Sequence, residues 1–216
     1  RKAVNMLLAM QYPSGGWPQV YPERGNYSDM VTFNDGAMIR VMTALRLAAN
    51  KSYPFDSDLL TSDQITAIKQ SLEKGIDYIL KSQIVVDGKL TAWCQQHDPV
   101  TYEPVWARAY EMPSLSASES VAIVQYLMSE KNPSKEIEKA VIAALEWFEE
   151  AAVEDTRFEP RDPKNQYFYE SEGSRIWYRF YEIGTNKPLF LGRDSVPHHD
   201  ITKIEEERRH GYSWAG

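Results

Sequence analysis

Leu90-Thr91-Ala92-Trp93-Cys94-Gln95-Gln96-His97-Asp98 reads as extended chain set between two helical patterns. Upstream, Ile65, Ile68, Leu72, Ile76, Ile79 and Leu80 recur at three- to four-residue spacing, one apolar stripe of a helix announced by Ser62-Asp63. Downstream, a second helix is expected from about Ser116 to Ser129, with Ser116 and Glu119 at capping-box spacing. Trp17 and Trp177 stand in the same setting, at intervals of 76 and 84 residues. Each interval holds two helices and their loops. Repeated helical hairpins bury one another's apolar faces, and their loops gather at one end. The pattern therefore predicts an all-α toroid with small β additions. The chain is short enough for one domain spanning 1–216. Arg1 to Gln11 is a helical pattern with no N-cap ahead of it, so an upstream part of the toroid is expected to precede Arg1.

The other elements follow from their punctuation. The first helix is closed by Pro13 and Gly15-Gly16. A second begins near Ser28 or Thr32 and carries Met38, Val41, Met42, Leu45 and Ala49 on one face. A helix from Ser134 to about Val153 follows the break at Asn132-Pro133. Residues 154–174 read as a long polar loop, and 175–183 as extended chain. Asp200 is expected to cap a last short helix to about His210, ending at Gly211.

Composition narrows the partners. A net charge of −7 argues against nucleic acid, although a local cationic cleft remains compatible with it. No apolar run approaches the ~18 residues of a membrane span. A single cysteine, Cys94, excludes an internal disulfide. Thirteen tyrosines and six tryptophans suit both sugar-stacking surfaces and an aromatic core.

The segment Val105-Trp106-Ala107-Arg108-Ala109-Tyr110-Glu111-Met112-Pro113-Ser114 concentrates an arginine among aromatics, just before a helix. Arg108, Arg179 and Arg193 all fall in non-helical segments, with Trp106, Trp177, Tyr178 and Tyr181 nearby. Guanidinium forks match carboxylates and aromatic faces stack on sugar rings, so a uronic-acid polymer fits. Asp35 and Asp98 are oxygen donors for a hard cation such as Ca²⁺, too few for a closed cage without a substrate carboxylate and water. Plainer readings stand beside these. Asp35 can be a helix cap, Arg108 a surface residue, and the tryptophans core staples. His97 can be a general base or a satisfied structural histidine. His198-His199 lacks metal-ligand spacing, and the serines of 114–120 lie in no nucleophile-elbow context. Glu205-Glu206-Glu207 with Arg208-Arg209 reads as a solvated helix face.

Several ordered blocks carry a family resemblance: Gly15-Gly16-Trp17-Pro18-Gln19-Val20-Tyr21-Pro22, Thr32-Phe33-Asn34-Asp35, Trp93 to Asp98, Trp106-Ala107-Arg108-Ala109-Tyr110-Glu111, Arg179 to Asn186, and Arg208 to Trp214. From about Gln11 to its end the chain strongly resembles the pectate lyases of polysaccharide lyase family 10. The resemblance implies an (α/α)₃ toroid that cleaves polygalacturonate by calcium-assisted β-elimination. It places the base on Arg108, a calcium ligand on Asp35, and carboxylate binding on Arg179 and Arg193. Asp98 is carried as a second metal residue, and Trp106 and Tyr181 as substrate contacts. A monomer working in secreted or periplasmic form is expected. Neighbouring cations should lower the pKa of Arg108, and activity should favour alkaline pH and require Ca²⁺. The alternatives are an inverting glycoside hydrolase on a toroid using Asp35 and Asp98, or a non-catalytic uronate-binding fragment. Gln11 to Trp17 also fits a terpene-cyclase pattern, but a charged cleft and the lack of an Asp-rich motif disfavour it.

Overall fold

The computed structural model describes residues 1–210 and 212–216. Five helices form its first two thirds: α1 (Lys2–Ala9), α2 (Ala37–Ala49), α3 (Ser62–Ser82), α4 (Ala117–Met128) and α5 (Lys135–Ala151). Their starts are set locally. Thr61 and Gln64 form a capping box on α3, and the Ser134 side chain accepts from the Ile137 amide at α5. α2 packs against α3 and α4, α4 against α5, and both α1 and α5 against α3. The seam is filled by Met38, Met42, Leu45, Ile68, Tyr78, Ile79, Ile123 and Leu127, all fully buried.

The tryptophan repeat has a physical basis. The last four carbonyls of a helix have no partner within it. Trp17 Nε1 donates to Leu7 O of α1, Trp93 Nε1 to Ile79 O of α3, and Trp177 Nε1 to Phe148 O of α5, each at 2.8 Å. Each indole thus satisfies an orphan carbonyl in the last turn of the helix before it. The strands repeat as well. β1 (Val31–Thr32) pairs antiparallel with β4 (Gln96–His97), and β5 (Leu115–Ser116) with β8 (Phe180–Tyr181). Thr32 N bonds Trp17 O, and Ser116 N bonds Trp93 O. One residue later, Phe33 N bonds Gln95 O and Ala117 N bonds Arg179 O. The residues that open α2 and α4 are therefore laid against the residues that follow the next tryptophan. Close approach is built in. At Gly15 (φ +108°) a Cβ would meet the Lys74 carbonyl oxygen at 2.1 Å, and at Gly75 it would meet Trp17 at 2.9 Å.

The all-α expectation, and with it the (α/α)₃ toroid, is corrected. The chain is 40% helical and 17% strand and gives no positive sign of a toroid. After α5, the described residues contain only one short α-helix, α6 (Glu206–His210). The region expected as a long loop is largely a ribbon of β6 (Val153–Phe158) with β7 (Phe168–Ile176). Its turn is closed by Asp162, whose carboxylate accepts from the amides of Lys164, Gln166 and Tyr167 and from the Tyr169 hydroxyl. Two small ribbons complete the sheet content, β2 (Val85–Val86) with β3 (Lys89–Leu90), and β9 (Phe190–Leu191) with β10 (Pro197–His198). A separate aromatic cluster of Tyr167, Phe180, Phe190 and Trp214 holds the last third together. No helix among the described residues is long and apolar enough to cross a membrane.

Two boundaries moved for local reasons. α2 begins at Ala37 because Asp35 (φ +52°) and Gly36 (φ +70°) are both left-handed. Asp200 caps only a 3₁₀ turn at Ile201–Lys203, and the helix end expected at Gly211 lies outside the described residues.

His97 is the structural histidine of the two readings. It is fully buried, accepts from the Cys94 amide at Nε2 (3.0 Å) and lies 2.8 Å from Tyr102 O at Nδ1. The Nδ1–H tautomer satisfies both contacts. Burial pushes its pKa from 6.5 down to about 4. The unfolded chain then takes up a proton at a pH where the folded chain does not. Stability contributed by this group is complete above about pH 6.5 and is lost as pH falls towards 4, by roughly 3 kcal/mol in all. Urea denaturation of His97→Gln across this range should show a shallower acid loss than the parent; equal slopes would refute the assignment.

Candidate active site

The strand repeat brings the start of α2, the start of α4 and the segment after Trp177 to one place. Asn34 follows β1, Glu119 lies in the first turn of α4, and Arg179 precedes β8. Arg179 Nη2 donates to Glu119 Oε1 at 3.0 Å and to Asn34 Oδ1 at 3.4 Å. Asn34 Nδ2 in turn donates to Glu111 Oε1 at 3.5 Å. Glu111 accepts a fork from Arg108, with Nε to Oε2 at 2.8 Å and Nη2 to Oε1, and its Oε2 also accepts from the Arg108 amide. Asn34 is thus the bridge between two arginine–carboxylate pairs.

Both carboxylates are buried, Glu111 at 1% exposure and Glu119 at 2%. Their arginines differ. The Arg179 side chain is 14% exposed, whereas that of Arg108 is 39% exposed. The Ser116–Glu119 spacing does not make a capping box: the Ser116 hydroxyl donates to the Glu119 carboxylate, which is committed to Arg179. Around these pairs stand Tyr110 and Tyr212. The Arg108 guanidinium lies 4.9 Å from the Tyr110 ring, and that of Arg179 lies 4.6 Å from Tyr212. Arg208 lies against both rings, at 3.7 and 4.5 Å. Arg193 pairs with Glu207, next to Arg208 in sequence.

The protonation of Arg108 runs against the expected lowering. The hydrogen-bonded fork to Glu111 raises its pKa above the usual arginine value, and burial opposes this only in part. Direct contact with a carboxylate outweighs the desolvation of the guanidinium. Arg193 is also held above its usual value, by Glu207.

The predicted residues divide. Arg108 and Arg179 converge through Asn34, with Asp35 next to it in the chain. Trp106 is 44% exposed. Tyr181 does not line a cleft, and its reading as a substrate contact is corrected. It is buried, its hydroxyl donates to Ala151 O and accepts from the Tyr178 amide, and its ring packs on Trp147. Asp98 is not brought to Asp35. In the β1–β4 register Gln96 faces Thr32, so Asp35 and Asp98 leave the ribbon at opposite ends. The Asp98 carboxylate accepts from the amides of Val100 and Thr101, which hold its pKa below the usual range. The carboxylate pair that a hydrolase reading needs is therefore not assembled from these two residues. Trp17 and Trp93 are core staples with no exposed surface.

Sequence reasoning missed Asn34, Glu111 and Glu119 as partners, and took Arg208 for a solvated residue. It is 9% exposed. The only signal for it was its place in an ordered block with Tyr212 and Trp214.

The Asp35 carboxylate is exposed and takes no hydrogen bond from the described residues, in contrast to Asp98. No group of three or more His, Cys, Asp or Glu among them could hold a metal alone. Asp35 thus offers one exposed, unengaged carboxylate oxygen donor and no closed cage.

The described contacts predict unequal roles for the carboxylates. Glu119→Ala strands Arg179 in a nearly buried position and should cost about 3 kcal/mol in urea denaturation. Glu207→Ala, at the exposed Arg193 pair, should leave the midpoint unchanged. Equal effects would contradict the burial described.

The family model described as pectic acid lyase matches residues 1–216. Solved structures of the family 10 polysaccharide lyase from Cellvibrio cellulosa are similar. One, of a mutant in complex with trigalacturonic acid, is 44% identical with a TM-score of 0.94, covering 100% of this chain and 68% of that one. Another is 43% identical with a TM-score of 0.94, covering 100% and 67%. No curated protein sequence matches. The chain belongs to the pectic acid lyase family and is a polysaccharide lyase acting on pectate.

Proposed function

We propose that this lyase cleaves polygalacturonate by calcium-dependent β-elimination, with Arg108 as the base. The observation that carries the reading is the half-exposed Arg108 fork, fixed on buried Glu111 beside Asn34 and Asp35. The similar lyase from Cellvibrio cellulosa, in complex with trigalacturonic acid, supports an oligogalacturonate as ligand.

The reaction removes the C5 proton of a galacturonate, α to its C6 carboxylate, and expels the O4 oxygen. Arg108 accepts that proton in its neutral form. Glu111 has two effects on this step. It makes the neutral form scarce at neutral pH, and it stabilises the guanidinium formed as the proton arrives. It also fixes the planar group, much as the carboxylate of a catalytic triad fixes its histidine. Arg179, anchored on Glu119 and Asn34, and the exposed Arg193 place positive charge where the carboxylate accumulates electrons. Trp106 offers a stacking face for a sugar ring. Asp35 is the residue that would hold the cation; Asp98, at the far end of the ribbon, is left out. A Ca²⁺ held at Asp35 would supply Lewis-acid charge to the reaction. A monomer that is secreted or periplasmic suits a polymer substrate, and light scattering together with assay of the exported protein would check both points.

Arg108→Ala should abolish the near-ultraviolet absorbance of unsaturated product, and Arg108→Lys should lose at least about a hundredfold because the fork is lost. Wild-type rate in either variant rules out the base. Asp35→Ala should raise the Ca²⁺ concentration needed for half-maximal rate. Activity indifferent to a chelator ends the calcium reading. The rate should climb with pH into the alkaline range, since the neutral fraction of Arg108 grows; a fall above pH 8 would oppose this.

A further inference from the structure

One face of α5 borders a trough that shares no residue with the arginine–carboxylate network. Lys135, Glu138, Lys139, Ile142, Glu146 and Glu150 recur along it at three- and four-residue spacing, which puts them on one side of the helix. The β2–β3 hairpin and the turn at Gly184 and Asn186 form the other walls, and the cavity holds about 890 Å³. Its walls are tied from beneath. Gln83, 4% exposed, donates from Nε2 to Thr91 O and to Ala140 O, each at 2.9 Å, and so joins the end of the hairpin to α5. At the same seam its Oε1 is buried without a partner among the described residues. At the far end Trp147 Nε1 donates to Asn186 Oδ1 at 3.0 Å. Lys89, Lys135 and Lys139 make no ion pair among the described residues, and neither do Asp87, Glu138, Glu146 and Glu150. Glu149, on the adjoining face of the same helix, is by contrast held by Arg175.

We propose that this trough is a second saccharide site, one that takes a neutral sugar chain. The inference rests neither on Arg108 as the base nor on calcium. Hydroxyl groups both donate and accept, so a sugar can use the ammonium donors and the carboxylate acceptors at once. Three lysines against four carboxylates give no positive field to draw a polyanion. A uronate lying along α5 would also meet Glu146 and Glu150. A galacturonate methyl ester, or a plain galactose chain, carries no charge to be repelled. The size agrees, since pockets for small ligands run from about 300 to 1,000 Å³. A protein partner is the poorer match. Of the trough's apolar side chains only Ile142, 56% exposed, is largely open to solvent, and a stable protein interface needs a broad apolar core.

Calorimetry with three trisaccharides tests this: the trimethyl ester of trigalacturonate, neutral galactotriose, and trigalacturonate itself. Wild type should bind the neutral sugars with a dissociation constant of about 1 mM, the strength of an open site with few buried contacts. The double variant Lys139→Ala, Glu146→Ala should weaken that binding at least about fivefold and leave trigalacturonate binding unchanged. Both positions are exposed, so the fold is kept. A loss confined to the ester names the esterified polymer as the source, and one confined to galactotriose names a neutral chain; either supports the site. Failure of both neutral sugars to bind wild type overturns the proposal and leaves a protein as the occupant of the trough. Neutral-sugar binding that the double variant leaves untouched overturns it too, as does a loss that falls equally on trigalacturonate. Unsaturated product from trigalacturonate is followed in both proteins and should form at equal rates; a rate lost only in the variant would place the two residues in the cleft and overturn the second site. Absence of product in wild type counts against the lyase mechanism alone, because neutral-sugar binding still decides the trough.

Discussion

Two buried carboxylates, Glu111 and Glu119, constrain the arginines around them. Each is nearly inaccessible, so each must be matched by a cation and by further donors. Glu119 is matched by Arg179 and the Ser116 hydroxyl, and Glu111 by the Arg108 fork, the Arg108 amide and Asn34. Asn34 spans both networks, so the loop carrying Arg108 and the segment carrying Arg179 are held in one frame. The same constraint bears on the base proposed for the reaction: an arginine fixed by a carboxylate is well aimed, and it is rarely neutral.

The frame itself comes from a repeated hydrogen bond. Three tryptophans donate to orphan carbonyls at the ends of α1, α3 and α5, and two strand pairs repeat with the same register of amide contacts. The geometry that places Asn34 beside Arg179 is copied by the geometry that places Glu119 there. The third tryptophan breaks the series. Its indole bond is kept, but ribbons and an aromatic cluster follow it where a helical hairpin was expected.

Spacing made the helices legible: apolar residues three and four apart name α3 and α5 to within a few residues, and the body but not the start of α2, because one buried stripe requires that period. It failed for residues 154–174, where a polar two-stranded ribbon has no buried face to write an alternation into the chain. It also failed for Arg208. A run of three glutamates and two arginines looks solvated from composition alone, and only the packing of Tyr110, Tyr212 and Trp214 takes one of those arginines out of water. Tyr181 erred in the opposite sense: an aromatic beside an arginine motif turned out to be a core residue with its hydroxyl already spent.

The amino-acid sequence by itself determined the helices, the three indole positions and the ordered blocks that mark Arg108, Asp35 and Arg179, because these depend on local period and on residue type. Only the tertiary structure decided which carboxylates Arg108, Arg179 and Arg193 meet, that Asp98 stands apart from Asp35, and that Arg208 lies against the rings of Tyr110, Tyr212 and Trp214. Those facts depend on strand register and burial. Pairing is a property of distance, and residues as far apart as Asn34 and Arg179 acquire one only when the chain has closed around them.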